Sequence, residues 1–268
     1  DITVLQQPIE NIYLVSSSAM DPIISLGALD SIALSGTKAD GWYLPKAKAA
    51  MQAGQIAYAG KYSAPDYEQI LASNCGLAIE NTMILHTPEV KEQLERFGIP
   101  VVVERSSYES HPLGRMEWVK FCGILLGKAT EATACFQAQV DKLQQFADLP
   151  ATGKTVAFFA ITNSGSVTVR KPGDYVAKAI ELAGGTYAFR DLKADENAQA
   201  TTTLQMEAFY TGAKDADILI YNSTIEGMVA TTDELVAKCA LLADFRAVQS
   251  GNVWCTTQSF FQQSMELA

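Results

Sequence analysis

Residues 112–149, PLGRMEWVKFCGILLGKATEATACFQAQVDKLQQFADL, restrict the possible architectures of this chain more than any other stretch. Trp118, Phe121, Cys122, Leu125 and Leu126 recur at the i, i+3, i+4, i+7, i+8 spacing of an amphipathic helix. Gly127 interrupts that stripe. Ala132, Phe136, Val140, Leu143 and Phe146 then carry a second one towards Pro150. The second run predicts a helix from about Ala129 to Asp148, roughly 30 Å long at about 1.5 Å per residue. Such a helix either lies along the surface of one domain or ties two α/β halves together, and the flanks decide which.

Both flanks alternate strand and helix patterns. Before the long stretch, strands are expected at 11–16, 31–35, 56–58, 77–79 and 99–103. Helices fall at 19–26, within 38–53, from Ser63 and at 88–97, with Gly27 and Gly98 closing two of them. After it, strands are expected at 155–161, 218–221 and 252–255, with 166–170 as the far arm of a hairpin. Helices follow at 175–182, 206–213 and 233–242, and a last one starts over 260–267. This alternation predicts parallel α/β sheets, which bind ligands beyond the carboxyl ends of their strands. In the first half those ends carry Ser16, Ser17 and Ser18, then Thr37, then Glu80 to Met83, then Arg105 to Tyr108. An internal echo supports two similar halves: Glu68-Gln-Ile-Leu leads into the strand at 77–79, and Glu207-Ala-Phe-Tyr leads into the strand at 218–220. The expected fold is α/β: two lobes with mostly parallel central sheets, joined by a single long α-helix. Residues 1–128 form the first lobe, 129–149 the joining helix and 150–268 the second lobe.

Composition removes several function classes. With 48% hydrophobic and 19% charged residues the chain carries sizeable cores. A net charge of −10 argues against nucleic acid, whose phosphates need a basic surface. No apolar run approaches the length that crosses a bilayer, and no signal-peptide pattern is present in these residues. The five cysteines are widely spaced without a CxxC pair, which favours structural thiols over zinc or redox chemistry. Two histidines, His86 and His111, make a bare zinc or manganese site hard to build. GxGxxG, P-loop, GxSxG and HExxH motifs are all absent, so an enzyme would need a dispersed site.

Several stretches, in this order, resemble the substrate-binding proteins of ATP-driven (ABC) importers for iron–siderophore, haem and vitamin B12. The strand and serine turn at 11–21, with Leu26-Gly27-Ala28, are similar to the opening of that family. Residues 66–71 and 76–79 sit where the family has an acidic helix start followed by Lys-Pro-Asp and a strand, although Asn74-Cys75-Gly76 departs from that tripeptide. Residues 94–103 (LERFGIPVVV), Leu126-Gly127-Lys128 with Glu131, Gly184-Gly185 and residues 241–254 complete the resemblance. It implies a receptor outside the cytoplasm, held at the membrane by a lipid anchor outside this chain, with the ligand cleft between its lobes. The receptor would be a monomer without catalytic activity or a cofactor of its own. It would carry a small-molecule metal complex (iron–siderophore, haem or cobamide) to an ABC permease dimer. It further implies that Glu68 and Glu207 dock onto permease arginines, where charge-assisted pairs set orientation. Their alternative role is to complement helix dipoles from the first turn.

Facing lobes would offer the ligand Trp42, Tyr43, Tyr62, Met83, Arg105 and Tyr108 from the first half. The second half would offer Arg170, Tyr221, Trp254 and Phe260, with Tyr175 nearer a helix interior. Aromatic side chains give a large ligand much contact area for few frozen torsions, and the two arginines suit carboxylates or catecholates. For each aromatic the competing role is packing beneath a loop. Met83, His86 and nearby tyrosines are of the types that ligate haem iron. An enzyme on a two-lobed scaffold, or a sensor that kept the fold and lost transport, remain alternatives.

Overall fold

The computed structural model describes residues 4–146, 150–193 and 200–266. The chain divides into two compact units, one of Asp1–Ser106, Met116–Asp141 and Phe261–Ala268, the other of Ser107–Arg115 and Lys142–Phe260. The lobes are therefore not two uninterrupted stretches. Residues 107–115 join the second unit, and the C-terminal segment expected in the second lobe joins the first.

In the first unit, strands β1 (Ile12–Leu14), β2 (Ile32–Ser35) and β3 (Ala57–Tyr58) precede a small hairpin of β4 (Gly60–Lys61) and β5 (Ala64–Pro65). β6 (Leu77–Glu80) and β7 (Val101–Val103) complete the set. The main sheet has the order β3-β2-β1-β6-β7 and is parallel throughout. A parallel sheet is covered on both faces, and β1 and β6 are accordingly buried at every position. Between the strands run α1 (Met20–Ser25), α2 (Pro45–Gln52), α3 (Tyr67–Ala72) and α4 (Pro88–Arg96). The helix expected from Ser63 starts later: Ala64 and Pro65 belong to the hairpin, and the Asp66 carboxylate caps α3 by accepting the Gln69 N–H at 3.0 Å. Tyr13, Leu34, Ile70, Ala78, Ile84, Val90, Leu94 and Ile99 form one core cluster of this unit.

The long stretch does break at Gly127. α5 (Pro112–Leu125) ends where Gly127 takes φ +68° and the Lys128 N–H returns to the Gly123 carbonyl at 2.7 Å, a left-handed helix stop. α6 (Ala129–Gln144) follows, and residues 147–149 of the expected joining helix lie outside the described residues. The buried face of α5 includes Met116, Val119, Cys122 and Leu125, with Leu126 buried directly after it, whereas Phe121 is 36% exposed. Phe121 instead meets Trp118 edge-on, with ring centroids 5.8 Å apart. Along α6, Ala132 is buried, Phe136, Val140 and Leu143 are half-buried, and Phe146 is exposed. No helix among the described residues is long and apolar enough to cross a membrane.

In the second unit, β8 (Thr155–Ile161) pairs antiparallel with β9 (Val167–Arg170), the expected hairpin. β10 (Thr186–Tyr187), β11 (Thr201–Leu204), β12 (Ile218–Tyr221) and β13 (Val253–Cys255) complete a sheet of order β11-β9-β8-β12-β13, with β10 beside the start of β8. The helices are α7 (Tyr175–Leu182), α8 (Met206–Ala213), α9 (Ser223–Glu226), α10 (Thr232–Lys238) and α11 (Arg246–Gln249). The helix expected over 233–242 stops at Lys238 and is followed by a 3-10 turn. The one expected from Phe260 is a run of turns as far as the described residues reach. Phe209 centres an aromatic core, with ring centroids 4.6 Å from Phe159, 5.7 Å from Phe189 and 5.5 Å from Phe245. All five cysteines are free thiols.

The α5–α6 corner depends on a missing side chain. A Cβ on Gly123 would run into Ala132 Cβ and lie 2.9 Å from the Lys128 carbonyl oxygen. Gly123→Val is expected to cost about 1–3 kcal/mol by overpacking, lowering the melting temperature by about 5 °C in differential scanning calorimetry. An unchanged melting temperature would show that the corner can relax.

Candidate functional site

The order β3-β2-β1-β6-β7 places a topological switch between β1 and β6, since the chain leaves β1 to one side and returns to the other. Loops diverge there and open a crevice at the carboxyl edge. One buried carboxylate holds that edge together. Glu104, directly after β7 and 5% exposed, accepts the hydroxyls of Ser16 at 2.7 Å and Ser18 at 2.5 Å on Oε2. Its Oε1 accepts the Ser106 N–H at 2.6 Å. Ser16 and Ser18 of the serine turn are thus committed to a carboxylate from across β6, and their hydroxyls are internal ties rather than open ligand donors.

The C-terminal segment clasps the same edge. Gln262 accepts the Tyr43 N–H at 2.8 Å and donates to the Gly41 carbonyl at 2.9 Å. The Ser264 hydroxyl donates to the Ser18 carbonyl at 2.7 Å, and the Met265 N–H to the Asp21 carboxylate at 2.8 Å. Three of these contacts are made by side chains of the segment, and the fourth gives the Met265 N–H, which a helix over 260–267 would have turned back on itself, to Asp21. Tyr43, 40% exposed, stands on this clasp with its ring 6.4 Å from that of Phe261.

Of the residues expected in this unit to meet a ligand, Tyr43, Met83 and Arg105 are exposed, and Tyr62 is half-buried against the core. Trp42 is not available. It is 1% exposed, with its indole N–H donating to the Ser35 hydroxyl at 3.2 Å, so it is a core residue under the loop after β2. Met83 and His86 lie on a 3-10 turn, Thr82–His86, both exposed. At three residues per turn they project from the same side. Beneath that turn Glu80 is fully buried, neither carboxyl oxygen has a hydrogen-bond partner, and burial pushes its carboxyl up to about 8.

In the second unit the strand register sets Phe158, Ile220 and Trp254 side by side on one face. Phe260 joins them, its ring 5.8 Å from Phe158, while Trp254 on the edge strand is 65% exposed. The Arg170 guanidinium lies 5.7 Å from both the Phe158 and Tyr175 rings and 3.4 Å from the Asp174 carboxylate. Arg115, from the first turn of α5, stacks 4.7 Å from the Tyr175 ring and donates to its hydroxyl at 2.6 Å. Burial raises Asp174, opposed by Arg170, the Val176 N–H and Arg115. Both guanidiniums thus act on the Asp174 carboxylate. Arg115, Phe158 and Asp174 have no local sequence signal; only the tertiary packing assembles them. Tyr108 is 38% exposed and belongs to this unit. Tyr221 is a second correction: it is fully buried and faces the opposite side of the sheet, 5.7 Å from Phe159, because it follows Ile220 in the strand.

Glu68 and Glu207 occupy matching places. Each is the second residue of its helix and exposed, and neither makes an ion pair among the described residues. Each stands two residues before a fully buried anchor, Ile70 in α3 and Phe209 in α8. Two residues turn a helix by about 200°, so each anchor points inward and each carboxylate outward. Each helix also leads into the strand that pairs with the first strand of its sheet, β6 beside β1 and β12 beside β8.

No family model matches the chain. It is 25% identical over 228 residues to an uncharacterized lipoprotein of Methanocaldococcus jannaschii, a match covering 82% of this chain and 52% of that protein. It is 22% identical over 262 residues to a cobalamin-binding protein of Halobacterium salinarum, covering 98% of this chain and 67% of that protein. The chain thus spans about half the length of one curated relative and two thirds of the other. Among solved structures, an ABC-type Fe3+-hydroxamate transport system protein of Saccharomonospora viridis superposes with a TM-score of 0.75 at 18% identity, covering 97% of this chain and 90% of that one. The periplasmic haem-binding protein of Vibrio cholerae superposes with a TM-score of 0.74 at 18% identity, covering 96% and 95%. The chain has the fold of the substrate-binding proteins of ABC transporters, the periplasmic-binding-protein type with two α/β units.

Proposed function

We propose that this chain is an extracytoplasmic receptor that captures a metal-containing small-molecule complex (iron–siderophore, haem or cobamide) and hands it to the permease of an ABC importer. The observation that carries this reading is the matched placement of Glu68 and Glu207. A carboxylate in the first turn stabilises its own helix in either unit, but dipole complementarity alone does not require the same offset from a buried anchor twice. Two outward carboxylates on anchored helices suit a partner that presents arginine to each. Attachment to the membrane would come through a lipid anchor outside this chain, and the receptor would act as a monomer.

For the ligand we assign Tyr43, Met83 and Arg105 in the first unit, and Tyr108, Arg170, Trp254 and Phe260 in the second. They combine aromatic area with guanidinium forks, the chemistry that holds a large, partly anionic complex. Met83 and His86, on one side of one turn, supply a thioether and an imidazole to a metal with an open coordination position.

Haemin, cyanocobalamin and a ferric hydroxamate, each offered in turn to the purified chain, discriminate among the ligands. At 100 times its dissociation constant the cognate complex adds about 2.7 kcal/mol, a rise of about 5–10 °C in melting temperature. No shift with any of the three would sink the ligand class. The double charge reversal Glu68→Lys with Glu207→Lys is expected to leave that shift intact. It should remove ligand-stimulated ATP hydrolysis by the cognate importer in proteoliposomes, and full stimulation by the double variant would refute the docking assignment.

A further inference from the structure

Among the described residues Glu80 is the one buried carboxyl that the functional reading leaves unused, and its surroundings are unlike those of Glu104. It ends β6, its neighbour across the sheet is Val103, and its backbone carbonyl accepts the Glu104 N–H at 2.8 Å. The side chain is 0% exposed and both oxygens lack a partner among the described residues. Strand alternation puts it on the face of Ala78, which belongs to the core cluster of Tyr13, Ile70, Ile84 and Val90, with Tyr67 and Val103 packed against it. The titratable groups that feel it are Tyr13 from β1 and Tyr67 from α3. Further out stand Tyr58, Cys75 and Glu89, and Lys38 sits 5.5 Å from the far ring of Tyr58. The Tyr13 hydroxyl is already given to the Gly60 carbonyl at 2.7 Å. Among the described residues no cation opposes the displacement of the Glu80 carboxyl, and burial is what causes it. An ionised carboxylate cannot stay there, because a buried charge without a partner costs far more than a neutral acid.

We propose that Glu80 is a proton-operated switch within the first unit: the neutral acid lets β6 close beneath the turn that carries Met83 and His86, and release of its proton to solvent loosens β6 and the adjoining α3. The switch itself is independent of the receptor reading. Only its consequence, that the ligand-facing turn and Glu68 respond together to pH, rests on that reading.

The sign follows from linkage. The unfolded chain loses this proton near the ordinary glutamate range, about 4.5, while the folded chain keeps it to about 8. The folded state therefore binds the extra proton between those limits, and stability falls as pH rises through them. For a single proton the unfolding constant grows about tenfold per pH unit, levelling off above pH 8.

The test uses the full chain as wild type and Glu80→Gln, which keeps the shape and removes the proton. Urea unfolding of the first unit should weaken from pH 5 to pH 8 in the wild type, and this component should vanish in Glu80→Gln. Amide exchange over residues 77–86, corrected for intrinsic rates, should speed up above pH 8 in the wild type alone. Should the variant fold poorly, infrared spectroscopy of the wild type decides: a protonated-carboxyl carbonyl band at pH 7 that titrates near pH 8 is expected. Equal pH dependence in the two proteins, or absence of that band at pH 7, would overturn the proposal. Loss of ligand binding by the wild type at every pH would leave the switch standing and count against the receptor reading instead.

Discussion

A parallel strand flanked on both faces by helices has no face to give to water, and the organisation of both units follows from that constraint. Helices must supply the cover, and α3 and α8 are each tied down by an apolar side chain with no exposure. In α3 that residue is Ile70 and in α8 it is Phe209, both without exposure. Full burial of such a side chain stabilises by about 1.5–3 kcal/mol, far more than an exposed ion pair contributes. The anchor therefore fixes the rotation of the helix, and the direction of Glu68 or Glu207 is a consequence of it. The outward carboxylates are positioned by apolar packing rather than by any polar contact of their own.

The same constraint makes polar groups at the ends of buried strands decisive. Glu104 and Glu80 close neighbouring strands, and both lie inside. Glu104 finds two hydroxyls and an N–H and so joins the turns after β1 and β7 across β6. Glu80, facing the other side, finds none and must keep its proton. A satisfied network rigidifies the carboxyl edge. An unsatisfied acid beside it keeps that edge dependent on a single proton. The carboxyl edge at the switch point is thus built from one rigid and one conditional element.

Much of this architecture is legible in the residues, and the limits have physical causes. The alternation of apolar runs and helical stripes places most of the strands of both sheets, the hairpin after β8 and the break at Gly127. What local pattern cannot supply is orientation. Phe121 fits the α5 stripe as well as Val119 does, yet only Val119 is buried, because the facing surface decides which flank of a broad apolar stripe goes inward. Tyr221 fails for a related reason: a one-residue step in a strand reverses the face, and only the pairing of Ile220 with Phe158 reveals which face is which. Trp42 stands in a loop by sequence but fills the core once Ser35 takes its N–H. Arg115 is legible only as a helix residue; its meeting with Tyr175 joins positions 60 apart. The C-terminal clasp was hidden too, since Gln262 and Ser264 act through partners more than 200 residues away.

The energetics of the docking proposed above turn on that separation between anchor and carboxylate. An exposed carboxylate paired with arginine contributes about 0–1 kcal/mol, and salt screens its reach to about 8–10 Å. With a net charge of −10, the chain as a whole attracts any basic surface, so attraction alone cannot single out one partner. Selectivity requires carboxylates that are few, fixed in direction and engaged together, because a second contact on the same chain forms at high effective concentration once the first is made. A flexible glutamate would surrender that advantage in side-chain and backbone entropy. In the docking proposed for Glu68 and Glu207, the fully buried Ile70 and Phe209 therefore count as much as the carboxylates they hold, although neither reaches the surface.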